Sequence, residues 1–339
     1  MNNLIKCRKI IASFIAATLL IQACSVNPGE RSITRSGFFF DTLINITVYD
    51  TDDEHILDLC FDMCNKYEHL LSITVQDSDI FRINEAGTDA VSVSSETIDL
   101  ITDARKYYTL SDGMLDITIA PLSTLWTEAR KNGIPPSAEK INALLPHVNI
   151  NNITVDADRC IIKKEDPNTM LDTGSLAKGY IADRLKELLI ENGVHSAIIS
   201  LGGNIMTIGD KPDGSPFRIG IKQPFGEASQ TAASLKVTDM SVVTSGIYER
   251  CFSYDDKLYH HILDPVTGYP KDTDLYSATI ISSSSTQGDA LSTICLLCGL
   301  DKAEALINNT PDVEAVFITR DYKLHYTEGA VAFVDQTFY

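Results

Sequence analysis

Val242-Val243-Thr244-Ser245, Leu258-Tyr259-His260-His261-Ile262-Leu263 and Ser277-Ala278-Thr279-Ile280-Ile281-Ser282 are three consecutive β-type runs with no helical period between them. Pro265, Gly268 and Pro270 punctuate the connection after the second run. Consecutive strands without an intervening helix read as hairpins instead of βαβ units. The expected class is therefore α+β, with mixed, largely antiparallel sheets and packed helices.

Working outward, apolar periodicity predicts a strand at Phe38–Tyr49, helices at about Glu54–Leu71 and at Glu96–Leu110, and a strand at Asn151–Ile162. A helix is expected at Ser175–Asn192, with short strands at Ala197–Ser200 and Arg218–Ile221. The chain is expected to close with a helix at Thr286–Leu297 and strands near Val313–Thr319 and Ala330–Val334. No repeat or long polar linker divides residues 37–335, which read as one catalytic unit.

The 339 residues suffice for a large core. With 44% hydrophobic and 22% charged residues, disorder and coiled coil are excluded. The 28 Lys+Arg against 46 Asp+Glu give a net charge of -18, a field that repels nucleic acid. An anionic ligand would need local help, such as a metal ion.

Lys6, Arg8 and Lys9 precede an apolar run from Ile10 to Ile21, too short to cross a bilayer, which takes about 20 residues. Residues 1–23 therefore read as an export signal. Cys24, after Ile21-Gln22-Ala23, stands where a bacterial lipoprotein signal places its lipidated cysteine, and residues 24–36 read as a tether. The expected location is the extracytoplasmic face of a bacterial membrane, held by a lipid anchor. The alternative is an ordinary signal peptide with an incidental Cys24. Cys60 and Cys64, one helical turn apart, lack the further ligands of a zinc site, and Cys295 and Cys298 sit in an apolar run where buried thiols are expected.

Three segments carry a composition that packing alone does not explain. Asp172-Thr-Gly-Ser175-Leu-Ala-Lys178-Gly-Tyr180 runs from a small-residue turn into a helix, a place where backbone groups approach an anion, or else simply a tight connection. In Tyr259-His260-His261-Ile262-Leu263-Asp264-Pro265, successive strand residues point to opposite faces, so only one histidine faces a given site. Asp289 and Thr293 lie one helical turn apart, an arrangement suited either to a hard cation or to the capping of a helix start.

Together with Asp41-Thr42-Leu-Ile-Asn-Ile-Thr-Val, Ser78-Asp79-Ile80, Ser111-Asp112-Gly113-Met114-Leu115-Asp116-Ile-Thr118, Leu201-Gly202-Gly203-Asn204 and Thr244-Ser245-Gly246-Ile-Tyr248-Glu249-Arg250, these segments resemble the ApbE family, the FAD:protein FMN transferases. The resemblance spans roughly residues 37–335. It implies transfer of FMN from FAD to a threonine hydroxyl of an exported acceptor protein, releasing AMP, with Mg²⁺ as cofactor. It further implies Mg²⁺ ligation by Asp289, Thr293 and the Ser175 carbonyl, and FAD contacts at Phe40, Met114, Leu115, Asp116, Asp172, Lys178 and Leu263. His261 matches the catalytic base. The chain departs from the family pattern at Phe40-Asp41, where Met-Gly is usual, at Thr74-Val75, at Ser175 and at Ile247. A Mg²⁺-dependent FAD pyrophosphatase and a non-catalytic flavin-binding lipoprotein are the alternatives.

Overall fold

The computed structural model describes residues 32–227 and 229–338. The predicted signal 1–23, Cys24 and most of the tether lie outside them. Two strands, β1 (Ile33–Phe39) and β2 (Thr42–Val48), open the described chain as a hairpin paired from Ile33↔Val48 to Phe39↔Thr42. The single strand expected at Phe38–Tyr49 is thus two. The chain reverses at Phe40-Asp41, with φ of 53° and 55°, the left-handed pair that a two-residue hairpin turn demands. The folded unit also begins earlier than residue 37, because β1 takes up the end of the expected tether.

Helices α1 (His55–Leu71) and α2 (Asp79–Glu85), strand β3 (Val91–Ser92), and helices α3 (Ser95–Leu110), α4 (Ala120–Asn132) and α5 (Ala138–Leu144) follow. Then come β4 (Ile153–Asp156), β5 (Ile161–Lys164), α6 (Ala177–Glu191), β6 (Ala197–Leu201), β7 (Asn204–Ile208), β8 (Phe217–Lys222) and β9 (Thr231–Val237). The chain continues with β10 (Ser241–Gly246), β11 (Cys251–Tyr254), β12 (Lys257–His260), β13 (Leu275–Ser282), α7 (Ser285–Cys298) and α8 (Leu300–Asn308), and ends with β14 (Val313–Thr319), β15 (Leu324–Tyr326) and β16 (Val334–Thr337). Three further expectations need correction. Asn151–Ile162 is a short 3-10 turn and the β4–β5 hairpin. Ala330–Phe333 is a 3-10 turn, with strand only from Val334. The strand predicted at Leu258–Leu263 stops at His260.

The main sheet has the order β1-β2-β6-β7-β10-β13-β14-β15, and neighbours pair antiparallel, as expected. Both of its faces are covered. On β13 and β14, Ala278, Ile280, Ala315 and Phe317 join the core shared with the helices. Ile281, Val316 and Ile318 face the opposite way, onto Phe217, Ile219, Leu235 and Val237 of the small β16-β9-β8 sheet. Burial on two faces explains why these strands read as continuous apolar runs without polar alternation.

Helix α1 buries Ile56, Leu57, Cys60, Cys64, Tyr67 and Leu71, the three-to-four spacing of one helix face. Cys60 and Cys64 are core residues with free thiols, pushed up to about 12 by burial, and not zinc ligands. Cys295 is likewise buried and free, while Cys298 is half-buried.

Candidate active site

Helices α6 and α7 meet at their N-termini so closely that a Cβ on Gly179 would lie 2.2 Å from the Ser285 carbonyl oxygen. Glycine is required there by that approach. Neither helix start relies on its own residues alone. Leu176 offers no side-chain cap to α6, and the Gly179 amide donates instead to Asp289 Oδ2 at 3.0 Å. In return, Asp183 of α6 accepts from Ser284 Oγ (2.8 Å), Ser285 N (2.7 Å), Thr286 N (2.9 Å) and Thr286 Oγ1 (2.6 Å) at the start of α7. The capping reading of Asp289 is therefore met in an unexpected form, since it caps the neighbouring helix and not its own.

The loop before α6 is equally fixed. Asp172 donates its amide to the Ile117 carbonyl, and its carboxylate accepts from Gly174 N at 3.0 Å and Ser123 Oγ at 2.8 Å. Lys178 Nζ donates to the Gly174 carbonyl at 3.0 Å and stands 3.4 Å from Asp289 Oδ1. A buried carboxylate, a loop carbonyl and an ammonium thus converge on one point. Thr293 Oγ1 sits one turn further along α7, donating to the Asp289 carbonyl at 3.3 Å.

Strand β12 brings in the histidines. His260 is buried and its Nε2 donates to the Lys271 carbonyl at 3.1 Å, while its buried Nδ1 has no partner. Burial pushes its pKa down to about 4. His261 lies just past the strand and is exposed. Even so, desolvation by the protein mass around it, followed by the charges of Arg250, His260, Lys178 and Arg130, depresses it to about 3. Its ring stays neutral at pH 7, and the Lys178 charge is one of those acting on it.

The turn after His261 is built to hold its shape. Asp264 accepts from Val266 N and Thr267 N and pairs with Lys271 Nζ at 2.9 Å, and Trp126 Nε1 donates to the Gly268 carbonyl at 2.8 Å. Burial raises the Asp264 carboxyl, but Lys271 and the two amides outweigh it and hold it below the usual range. Leu263 is buried against Trp126 and makes a lone bridge to Pro270.

The profile of the ApbE family matches residues 40–317. The chain belongs to the ApbE family. It is 37% identical over 293 residues to the FAD:protein FMN transferase of Klebsiella pneumoniae (strain 342), across 86% of this chain and 90% of that one. To the enzyme of the same name from Treponema pallidum it is 30% identical over 329 residues, covering 92% and 91%. The crystal structure of the ApbE protein of Thermotoga maritima superposes with a TM-score of 0.82 at 28% identity, covering 90% of this chain and all of that one.

Not every residue carried over from ApbE joins the cluster. The Asp116 carboxylate is spent on Thr118 N, Thr118 Oγ1 and Ile150 N, so its side chain braces the 116–118 turn. Leu115 is buried in the core. Met114 lines a cavity of about 360 Å³ with Ser111, Lys271 and Cys298. Phe40 turns the first hairpin and donates its amide to Glu68 Oε1 at 2.9 Å. Ser175 is half-buried at the turn before α6.

Among the described residues no three His, Cys, Asp or Glu side chains gather. A divalent cation would have to use one carboxylate together with carbonyl and hydroxyl oxygens, the donor set of a hard cation that also binds phosphate. Asp289 and Thr293 supply a carboxylate and a hydroxyl oxygen of that kind, and the Gly174 carbonyl and the Asp289 carboxylate both approach the Lys178 ammonium. Asp183, the residue that locks this arrangement, was visible in the sequence only as one more charge on a helix.

Proposed function

We propose that the chain is a Mg²⁺-dependent FAD:protein FMN transferase acting on a threonine of an exported acceptor protein. The observation that carries this reading is the convergence, in a family of FAD:protein FMN transferases, of Asp289, a loop carbonyl and Lys178, together with an exposed, neutral His261 on which the Lys178 charge acts. Asp289, Thr293 and a carbonyl of the 174–175 turn would hold Mg²⁺, which when bound offsets charge on the FAD pyrophosphate. Lys178 adds a fixed positive charge, and Asp172 fixes the loop.

His261 accepts the proton of the threonine hydroxyl as its oxygen attacks the FMN-side phosphorus. One P–O bond forms to threonine, one breaks to the bridging oxygen, and AMP leaves with that oxygen. The neutral ring is the form a base requires. Residues 1–23 act as the export signal and Cys24 as the lipid anchor of the 37–335 catalytic unit, placing it on the outer face of a bacterial membrane. Cys24→Ala is expected to give unprocessed or soluble protein.

The deciding experiment incubates the protein with FAD, Mg²⁺ and candidate threonine-bearing acceptor domains. Mass spectrometry then follows an added FMN on the acceptor and stoichiometric AMP. Free FMN with an unmodified acceptor would establish the pyrophosphatase in its place, and bound but intact FAD the carrier.

A further inference from the structure

The segment Thr244–Arg250 has no role in the account above. Strand β11 begins at Cys251, which pairs with His260, the last residue of β12. One step beyond that pair the two chains carry Arg250 and His261. Cross-strand neighbours share a face and successive residues alternate, so Arg250 goes with His261 while Cys251 goes with His260. The exposures agree, with His260 buried and both Arg250 and His261 open. Tyr259, on the same face as His261, stacks on Trp126 at 5.5 Å. Arg130 lies one helical turn beyond Trp126 on α4, and its charge also acts on His261.

Of the side-chain charges acting on the His261 ring, that of Arg250 is the largest. Among the described residues Arg250 makes no ion pair or hydrogen bond, although the chain carries 46 acids against 28 bases. Lys178, by contrast, is committed to Asp289 and Gly174. A guanidinium left without a carboxylate in so acidic a protein, next to the proposed base, has an anion as its natural partner. Its planar fork suits two phosphate oxygens at once.

We propose that Arg250 is a further catalytic residue, which grips the phosphoryl group passed from FAD to the acceptor hydroxyl next to His261. This rests on the transferase reading for the reaction, though not for the anion contact. During transfer the guanidinium stabilises charge on the nonbridging oxygens, and it keeps the adjacent imidazole unprotonated.

The test compares wild type, Arg250→Ala, Arg250→Lys and the charge-matched Arg130→Ala. Single-turnover AMP release is measured with Mg²⁺, and binding of FAD and of riboflavin, which has no phosphate, is read by flavin fluorescence. Arg250→Ala should slow AMP release by about 100-fold or more and weaken FAD by about tenfold, leaving riboflavin unchanged. Arg250→Lys should recover FAD binding more than rate, because the paired contact is lost. Arg130→Ala should have a much smaller effect than Arg250→Ala. Wild-type AMP release by Arg250→Ala would overturn the proposal, as would equal weakening of FAD and riboflavin, or equal losses in the Arg250 and Arg130 variants. If wild type produced no AMP at all, the transferase reading would fall, and the FAD-to-riboflavin comparison would still decide the anion contact.

Discussion

Asp183 and Asp289 cap each other's helices: Asp183 of α6 accepts the first amides of α7, and Asp289 of α7 accepts the Gly179 amide of α6. Carboxylates at helix N-termini satisfy orphan amides and complement the helix dipole. Here the exchange also fixes the distance between the loop carbonyls before α6 and the Asp289–Thr293 turn. The oxygens proposed to hold a cation are therefore positioned by helix capping on two sides.

Asp183→Ala should lower stability by about 1–3 kcal/mol, because it strands buried donors at Ser285 and Thr286. Urea unfolding measures this. Mg²⁺-dependent FAD affinity should fall in the same variant, although Asp183 touches neither. Wild-type Mg²⁺ dependence in a destabilised Asp183→Ala would show that the capping exchange does not position the cation ligands.

Asp289→Ala is expected to abolish the gain in FAD affinity on adding Mg²⁺, and to lower turnover by about 100-fold or more. Titrating FAD with and without chelator checks it. Lys178→Ala removes a fixed cation but no oxygen ligand, so it should weaken FAD while leaving the Mg²⁺ dependence in place.

His260 makes stability depend on pH. Its ordinary value is 6.5 and burial lowers it to about 4 in the folded chain. The unfolded chain therefore takes up a proton near pH 6.5 that the folded chain refuses until about pH 4. The contribution is complete above pH 6.5 and is lost as pH falls through that window, at up to about 1.4 kcal/mol per pH unit for one proton. Denaturant unfolding of His260→Asn should show a shallower decline between pH 6.5 and 4 than wild type.

The legible parts of the fold were those where one period dominates. Helix α1 and strand β14 were found because Leu57, Cys60 and Cys64, or Val313 to Thr319, keep one rule throughout. The β1–β2 hairpin was missed because its turn is Phe40-Asp41, without the glycine that normally marks left-handed pairs. α4 was not expected at all; its Pro121 sits in the first turn, where proline is an allowed helix start. At the site, Asp289 and His261 stood out through the family pattern. Asp183 and Arg250 did not, since their roles depend on contacts or register between segments far apart in the chain.

His261, and not His260, should be the base for FMN transfer, and the structure sharpens the reason. The two histidines differ in access as well as face: His260 is buried with Nε2 on the Lys271 carbonyl, whereas His261 is exposed and subject to the charges of Arg250 and Lys178. His261→Ala should lower transfer to an acceptor threonine by about 100-fold or more with little change in FAD affinity, while His260→Asn should mainly lower stability. Because the His261 ring is held well below 6.5, the acid limb of the kcat/KM profile should fall below pH 6.5, stay in place in Arg250→Lys, which keeps the charge, and move up in Arg250→Ala less than it does when both Arg250 and Arg130 are neutralised. An acid limb at pH 6.5 or above in wild type, or full activity in His261→Ala, would show that a different group takes the threonine proton.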